Sequence, residues 1–192
     1  MRNDVPLYTP RPALPADIPQ IAAVNLESWH YIYRDLVPAS HFRKLKQEVC
    51  ELYWRKTLTA QAATVFVLEG MDGNLCGVAA AGPPMTPPPP ANDYKRELYA
   101  LYLQPSYVRQ GLGAILLGAT VKQLVDDGCS NLFLWVLEKN PCRRFYEKHG
   151  AVKLASKEED MGGFTVVKVA YGWRDLRTMR SLLANPNRGH PV

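Results

Sequence analysis

The sequence has no run of apolar residues long enough to cross a bilayer, although 47% of its 192 residues are hydrophobic. A membrane-spanning helix needs about 20 consecutive apolar residues, so no membrane partner is expected. The opening segment, MRNDVPLYTPRP, also lacks the apolar stretch of a secretory signal peptide. These two absences lead us to expect a cytoplasmic protein.

Cysteines are few and are not spaced as metal ligands. The four of them, at positions 50, 76, 129 and 142, form no CxxC pair and no cluster with histidine. Reduced thiols in a cytosolic protein are therefore expected, in place of a disulfide framework or a zinc site. We predict no metal site.

No dense block of lysine and arginine occurs, and the formal net charge is a modest +5. Nucleic-acid binding is typical of concentrated basic patches and is not expected, whereas this charge favours the approach of a polyanionic ligand. The length and apolar content suit one hydrophobic core. We predict one domain over residues 1–192, with a core at about 7–173 and a C-terminal tail at 174–192.

The pattern of apolar and turn-forming residues predicts a mixed α/β fold. Strands are expected at residues 7–14, 64–69, 75–81, 94–103, 131–137, 151–156 and 163–172. The strand-helix-strand unit in the middle of the chain makes 94–103 and 131–137 parallel neighbours. The remaining order predicts a mostly antiparallel sheet of six to seven strands.

Helices are expected from residue 15 through Trp29, from a cap at Ser40 to about Leu58, from Leu112 to a stop at residues 127–128, and over 140–148. For the second helix, the predicted inner face consists of Phe42, Leu45, Val49, Leu52 and Tyr53. Residues 82–91, GPPMTPPPPA, predict an extended surface connection, with a proline-binding partner as the alternative.

Two glycines, Gly111 and Gly113, lie between the strand at 94–103 and the central helix. Glycine lets the backbone approach a ligand closely, and the first N–H groups of a helix carry partial positive charge without internal partners. Together they favour phosphate binding, and Arg109 adds a formal charge. The alternative is that Gly-x-Gly only makes a tight turn.

Two motifs flanking the central helix resemble those of the GNAT N-acetyltransferase superfamily, and the likeness covers about residues 7–173. Residues 108–113, Val-Arg-Gln-Gly-Leu-Gly, are similar to the phosphate loop (Gln or Arg)-x-x-Gly-x-(Gly or Ala), with Val108 in place of its polar first residue. Residues 139–146, Lys-Asn-Pro-Cys-Arg-Arg-Phe-Tyr, are similar to Asn-x-x-Ala-x-x-x-Tyr, with Lys139 and Cys142 departing from it.

The resemblance implies a GNAT-like acyltransferase fold with acetyl-CoA as co-substrate and direct transfer to an amine. It also implies which residues bind acetyl-CoA. The strand would offer backbone groups to the pantetheine arm, the loop would hold the diphosphate, and a neighbouring Asn would contact the arm. These residues are Leu101, Tyr102 and Leu103; Val108, Arg109, Gln110, Gly111, Leu112, Gly113 and Ala114; and Asn140.

The same resemblance places the catalytic groups. A protonated amine must lose a proton before it attacks the thioester, and the leaving thiolate must gain one. Glu97 falls where some members carry their catalytic base, and a water relay is the alternative. Tyr146 matches the general acid. From the residues alone, Glu97 can equally be a solvated edge charge and Tyr146 a packing aromatic.

The acceptor is not readable from the sequence. Trp29 and Tyr33 lie in the segment that shapes the acceptor pocket of this fold, although each can also belong to the core. Small-molecule and peptide amines, longer acyl donors and a homodimer all stay open. The rival functions are a non-catalytic acyl-CoA sensor or interaction module, covalent transfer through Cys142 or Cys129, and nucleotide binding, which would lack a Walker loop.

Overall fold

A computed structural model describes residues 8–60, 62–85 and 94–184. Its strands form a seven-stranded sheet in the order β1-β2-β3-β4-β5-β7-β6, so the mixed α/β prediction is confirmed. The strands are β1 Pro10–Pro12, β2 Thr64–Glu69, β3 Leu75–Gly82, β4 Glu97–Leu103, β5 Leu132–Leu137, β6 Val152–Asp160 and β7 Thr165–Trp173. The helices are α1 Ile18–Tyr33, α2 Ala39–Phe42, α3 Gln47–Thr59, α4 Leu112–Asp126, α5 Arg143–Lys148 and α6 Leu176–Ala184.

The β4-α4-β5 unit at the centre of the chain has the predicted parallel pairing. Glu97 of β4 is the partner of Phe133 of β5, and the Phe133 N–H donates to the carbonyl of Arg96 at 3.0 Å. β5 is buried along its length apart from Trp135, as its near-continuous apolar sequence predicts. The pairs β1–β2, β5–β7 and β6–β7 are antiparallel.

The chain divides into two compact units, Met1–Ala80 with Ala100–Thr120, and Ala81–Tyr99 with Val121–Val192. A core cluster of the first unit joins Leu68 and Cys76 of the β2–β3 strands to Leu112 and Leu116 of α4. In the second unit Phe133 and Val169 are fully buried. The expectation of one domain stays a prediction.

The region after α1 differs from the prediction of one helix capped by Ser40. Ser40 lies inside the short α2, and α3 begins separately at Gln47. The predicted inner face is also wrong, because Val49 and Leu52 are 52% and 54% exposed.

The buried face of α3 is instead formed by Cys50, Trp54 and Thr57. Trp54 is fully buried, and its Nε1 donates to Asn25 Oδ1 of α1 at 3.2 Å. A large ring with a hydrogen-bond partner decides the rotation of the helix, because burying it removes more apolar area than burying an aliphatic side chain.

Other element boundaries moved by a few residues. β4 begins at Glu97 and not at 94, and the Lys95 N–H donates to Asn131 Oδ1 at 2.9 Å before the strand starts. β6 continues to Asp160. Ile115, in the first turn of α4, is 40% exposed. The tail forms a nine-residue helix, α6. Most of the predicted connection at 82–91, and residues 185–192 of the predicted C-terminal tail, lie outside the described residues.

An ion pair ties the edge strand β1 to the start of α1. Arg11 donates to the Asp17 carboxylate from Nη1 and Nη2 at 2.7 and 2.9 Å, and the Leu14 N–H donates to the same carboxylate at 2.7 Å. The hydrogen bonds from Arg11 hold the pKa of Asp17 below its ordinary value. The pair therefore stabilises the folded state only while Asp17 is ionised.

We expect Arg11→Gln to lower the free energy of unfolding by about 1 kcal/mol at pH 7, a modest value because the Arg11 side chain is 36% exposed. A depressed pKa contributes stability above the unfolded value, about 3.9, and loses it as pH falls through the folded value. Urea denaturation of both proteins at pH 7 and pH 3 should show the difference shrinking in acid. A difference that is the same at both pH values would contradict the assignment.

Candidate functional site

The bend between β4 and α4 has an unusual backbone. Pro105 opens a 3-10 turn that ends the strand, and the chain then passes through Arg109 at φ 63° and Gly111 at φ 82°. Gln110 between them has no positive φ. Alternation of left-handed and ordinary residues is the backbone pattern of anion-binding nests, in which successive N–H groups turn toward one side; residues 109–111 are here named the nest. A positive φ is costly for arginine, so the bend is held by its surroundings.

Local hydrogen bonds hold this bend. The Gln110 side-chain amide donates to the Ser106 carbonyl at 2.8 Å, and the Gln104 N–H donates to the Cys76 carbonyl of β3 at 2.9 Å. At the start of the helix, the Ala114 N–H donates to the Gly111 carbonyl at 3.0 Å. The Ala114 amide therefore serves the helix itself.

The electrostatics of the bend favour an anion. α4 has 15 residues and no acidic residue in its first turn, so its N-terminal partial charge is not neutralised locally. Arg109 is exposed at this end of the helix. The nest, the helix terminus and the guanidinium together can bind a diphosphate.

The end of β4 has two faces. Leu101 and Leu103 pack against the core cluster of the first unit, whereas the Tyr102 hydroxyl accepts a hydrogen bond from Trp29 Nε1 of α1 at 3.1 Å. Tyr33 packs on Trp29 with ring centroids 4.6 Å apart. The structure thus brings Trp29 and Tyr33 to the strand predicted to bind pantetheine. Sequence reasoning used only the backbone of Tyr102 and missed this side-chain contact.

Glu97, at the start of β4, is buried at 5% exposure, so its interpretation as a solvated edge charge is wrong. Its Oε2 accepts the Met85 N–H at 2.8 Å. Two residues along the strand, the Tyr99 hydroxyl donates to the Pro83 carbonyl. Both side chains thereby tie the segment after β3 to β4. Buried carboxylates require such partners.

The other predicted residues of the second unit lie on α5 or just before it. Asn140 is 4% exposed, and its Oδ1 accepts the Cys142 N–H at 2.8 Å just before the helix begins. Tyr146 is 8% exposed and meets the Trp173 ring edge-on at a centroid distance of 6.2 Å. Tyr146 is therefore packed against β7, as the packing alternative requires, and this does not exclude a chemical role.

Two side chains of β7 fix the short α5. Trp173 Nε1 donates to the His149 carbonyl at 2.8 Å, and the Tyr171 hydroxyl donates to Glu147 Oε1 at 2.5 Å. A six-residue helix is unstable alone, so these contacts orient Tyr146. The sequence offered only one signal for them, aromatic residues two apart in a strand.

Neither metal ligation nor membrane insertion is indicated in residues 8–60, 62–85 and 94–184. Within these ranges no three His, Cys, Asp or Glu side chains are grouped so as to hold a metal ion. None of the helices described there has the length and apolarity needed to cross a membrane. The four cysteines are unpaired.

The two glycines of the bend should respond oppositely to alanine. Gly111→Ala places a Cβ on a left-handed residue and is expected to cost about 1–2 kcal/mol of unfolding free energy. Gly113→Ala, inside α4, is expected to gain about 0.5 kcal/mol from helix propensity. Urea denaturation of both variants tests this. Equal effects of the two substitutions would contradict the backbone described for the bend.

Comparisons with known proteins agree with this geometry. The sequence profile of the acetyltransferase (GNAT) family matches residues 26–151. The uncharacterised N-acetyltransferase YuaI of Bacillus subtilis (strain 168) is 32% identical over 177 residues, which cover 92% of this chain and 99% of YuaI.

Solved structures of this family share the fold. The PaiA N-acetyltransferase of Thermoplasma acidophilum, in complex with coenzyme A, superposes with a TM-score of 0.62 at 21% identity over 86% of this chain and 99% of its own. YncA of Salmonella typhimurium, with its cofactor acetyl-CoA, gives a TM-score of 0.64 at 17% identity over 87% and 93%. Acetyl-CoA is the co-substrate of the family. The profile match and the identity to YuaI show that this chain belongs to the GNAT acetyltransferase family.

Proposed function

We propose that the protein transfers the acetyl group of acetyl-CoA to a primary amine by direct attack of the amine on the thioester. The observation that carries this proposal is the nest at Arg109 and Gly111, at the amino end of α4. Its N–H groups suit the diphosphate of coenzyme A, and Leu101–Leu103 would offer backbone groups to the pantetheine arm. In this role Val108 contributes only its backbone.

Glu97 is proposed as the base that removes the proton of the amine. The pKa of a lysine-like amine lies about three units above neutral pH, so its deprotonation costs roughly 4–5 kcal/mol. Burial at 5% exposure and the hydrogen bond from Met85 support the proposal, because they fix the carboxylate in one position. The proton passes to Glu97 directly or through one water.

Tyr146 is proposed as the acid that protonates the departing thiolate of coenzyme A. Its hydroxyl is carried by a helix that Trp173 and Tyr171 orient, and general acids must be positioned within hydrogen-bond reach of the reacting atom. As the C–S bond breaks, the sulfur takes the phenol proton, and the phenolate is reprotonated by solvent.

Covalent transfer through Cys142 is disfavoured by its environment. The nucleophile in such a reaction is the thiolate, and burial raises the pKa of Cys142. Less thiolate is present at neutral pH than for an exposed cysteine. Direct transfer to the amine therefore remains the proposal.

The experiment for the whole proposal measures binding and chemistry on the same sample. Calorimetry with coenzyme A should give a dissociation constant in the micromolar range, and a screen of primary amines should release thiol from acetyl-CoA. Tyr146→Phe should lower kcat by about 10²-fold or more, with coenzyme A affinity within twofold of wild type. The matched control is Tyr31→Phe, since Tyr31 is 50% exposed.

Unchanged kcat in Tyr146→Phe would remove the acid role, and binding without thiol release would indicate a sensor.

Glu97→Gln tests the base. Glutamine keeps an oxygen that can accept the Met85 N–H, so the fold should be retained, which a melting curve checks. The rate should fall most at low pH, because the free amine is scarcest there. A rate that falls by the same factor at every pH would show that Glu97 supports the structure without taking the proton.

A further inference from the structure

Five aromatic side chains of the first unit lie together and are here named the aromatic wall: Trp29, Tyr33, His41, Tyr53 and Tyr102. The rings of Trp29 and His41 are nearly parallel, with an interplanar angle of 20° and centroids 6.0 Å apart. The Tyr53 ring meets that of Trp54 edge-on at a centroid distance of 5.3 Å. Trp54 Nε1 donates to Asn25 of α1, which lies one turn before Trp29, so α3 brings Tyr53 to the same side of α1.

The wall is continuous with an apolar surface on α3. Tyr53 is 36% exposed, and Val49 and Leu52, which share its side of the helix, are 52% and 54% exposed. Trp29 and Tyr33 are half-buried. Contiguous exposed apolar surface in a folded protein marks a binding site.

The place of the wall in the fold connects it to the proposed chemistry. Tyr102 lies between Leu101 and Leu103 in the segment whose backbone is assigned to the pantetheine arm. Side chains alternate along a strand, so Tyr102 points to the face opposite these two leucines. On that face Trp29 Nε1 donates a hydrogen bond to the Tyr102 hydroxyl at 3.1 Å. The wall therefore lies beside the strand that is assigned to the acyl donor.

Aromatic rings can bind either a cation or a flat apolar group. The reaction needs an uncharged amine, and this requirement decides between the two kinds of ligand. An amine held as an ammonium over the rings would be stabilised in its charged form and would not attack. The rings thus suit the carbon part of the acceptor. A Tyr102 phenol that keeps its proton can also donate a hydrogen bond to that ligand.

We propose that the aromatic wall binds the acceptor, and that the acceptor is a primary amine joined by a short chain to a planar aromatic group. This inference rests on the proposed N-acetyltransferase function. It assigns substrate selection to Trp29 and Tyr53, which contact the aromatic group of the acceptor.

The test compares four amines as acceptors for the wild-type protein: 2-phenylethylamine, 2-cyclohexylethylamine, hexylamine and 1,4-diaminobutane. We expect kcat/KM for 2-phenylethylamine to exceed that for hexylamine and for 1,4-diaminobutane at least tenfold, and that for 2-cyclohexylethylamine at least threefold. Equal values for the aryl and the alkyl amines would overturn the proposal.

Two variants locate the binding surface. Trp29→Leu and the exposed Tyr53→Ala should each raise the KM for 2-phenylethylamine about tenfold while the KM for acetyl-CoA stays within twofold. The matched control is Tyr31→Ala, an exposed aromatic two residues from Trp29 and therefore on another side of α1. An equal loss in Tyr31→Ala, or no loss in Tyr53→Ala, would contradict the assignment.

A binding measurement separates this inference from the proposed function. If acetyl-CoA binds and no amine is acetylated, the proposed function fails. Calorimetry of the coenzyme A-loaded protein with N-acetyl-2-phenylethylamine then decides the inference independently. Heat that Tyr53→Ala diminishes supports the aromatic wall as a ligand site, and the absence of heat overturns it.

Discussion

The bend at Arg109 and Gly111 is the constraint on which the proposed chemistry depends. An arginine held at φ 63° next to a glycine at φ 82° is a local cost that the surrounding structure must offset. Pro105 ends the strand, Gln110 bonds back to Ser106, and α4 begins immediately afterwards. The result is a bend at the positive end of a helix, whose N–H groups are the ones proposed to bind the diphosphate.

Single hydrogen bonds position the other candidate residues. Trp29 holds Tyr102 in the first unit. In the second unit, Trp173 holds the end of α5, and the Met85 N–H holds Glu97. Each bond joins residues that are 12 or more positions apart in the sequence, so packing and site geometry are set by the same contacts. Buried indoles and carboxylates also require such partners, which links stability to function.

Much of the fold could be predicted because its signals are local. The stop at Pro105, the glycines of the bend and the β-branched content of β2 act over a few residues. The rotation of α3 about its axis could not be predicted, because Val49 and Leu52 form as regular an apolar stripe as Cys50 and Trp54. Only the hydrogen bond from Trp54 to Asn25 of α1 decides which stripe is buried. The burial of Glu97 was equally hidden, since Met85, the donor to its carboxylate, lies 12 residues earlier. The left-handed backbone at Arg109 could not be predicted either, because arginine disfavours a positive φ and so does not indicate one in the sequence.

The most direct test of the account is a crystal structure of the protein with coenzyme A. It should place the diphosphate oxygens within about 2.7–3.2 Å of main-chain nitrogens in residues 109–113, the distance of an N–H···O hydrogen bond, with Arg109 and Gly111 still at positive φ. A diphosphate bound elsewhere, or a bend that abandons its left-handed residues on binding, would contradict the account.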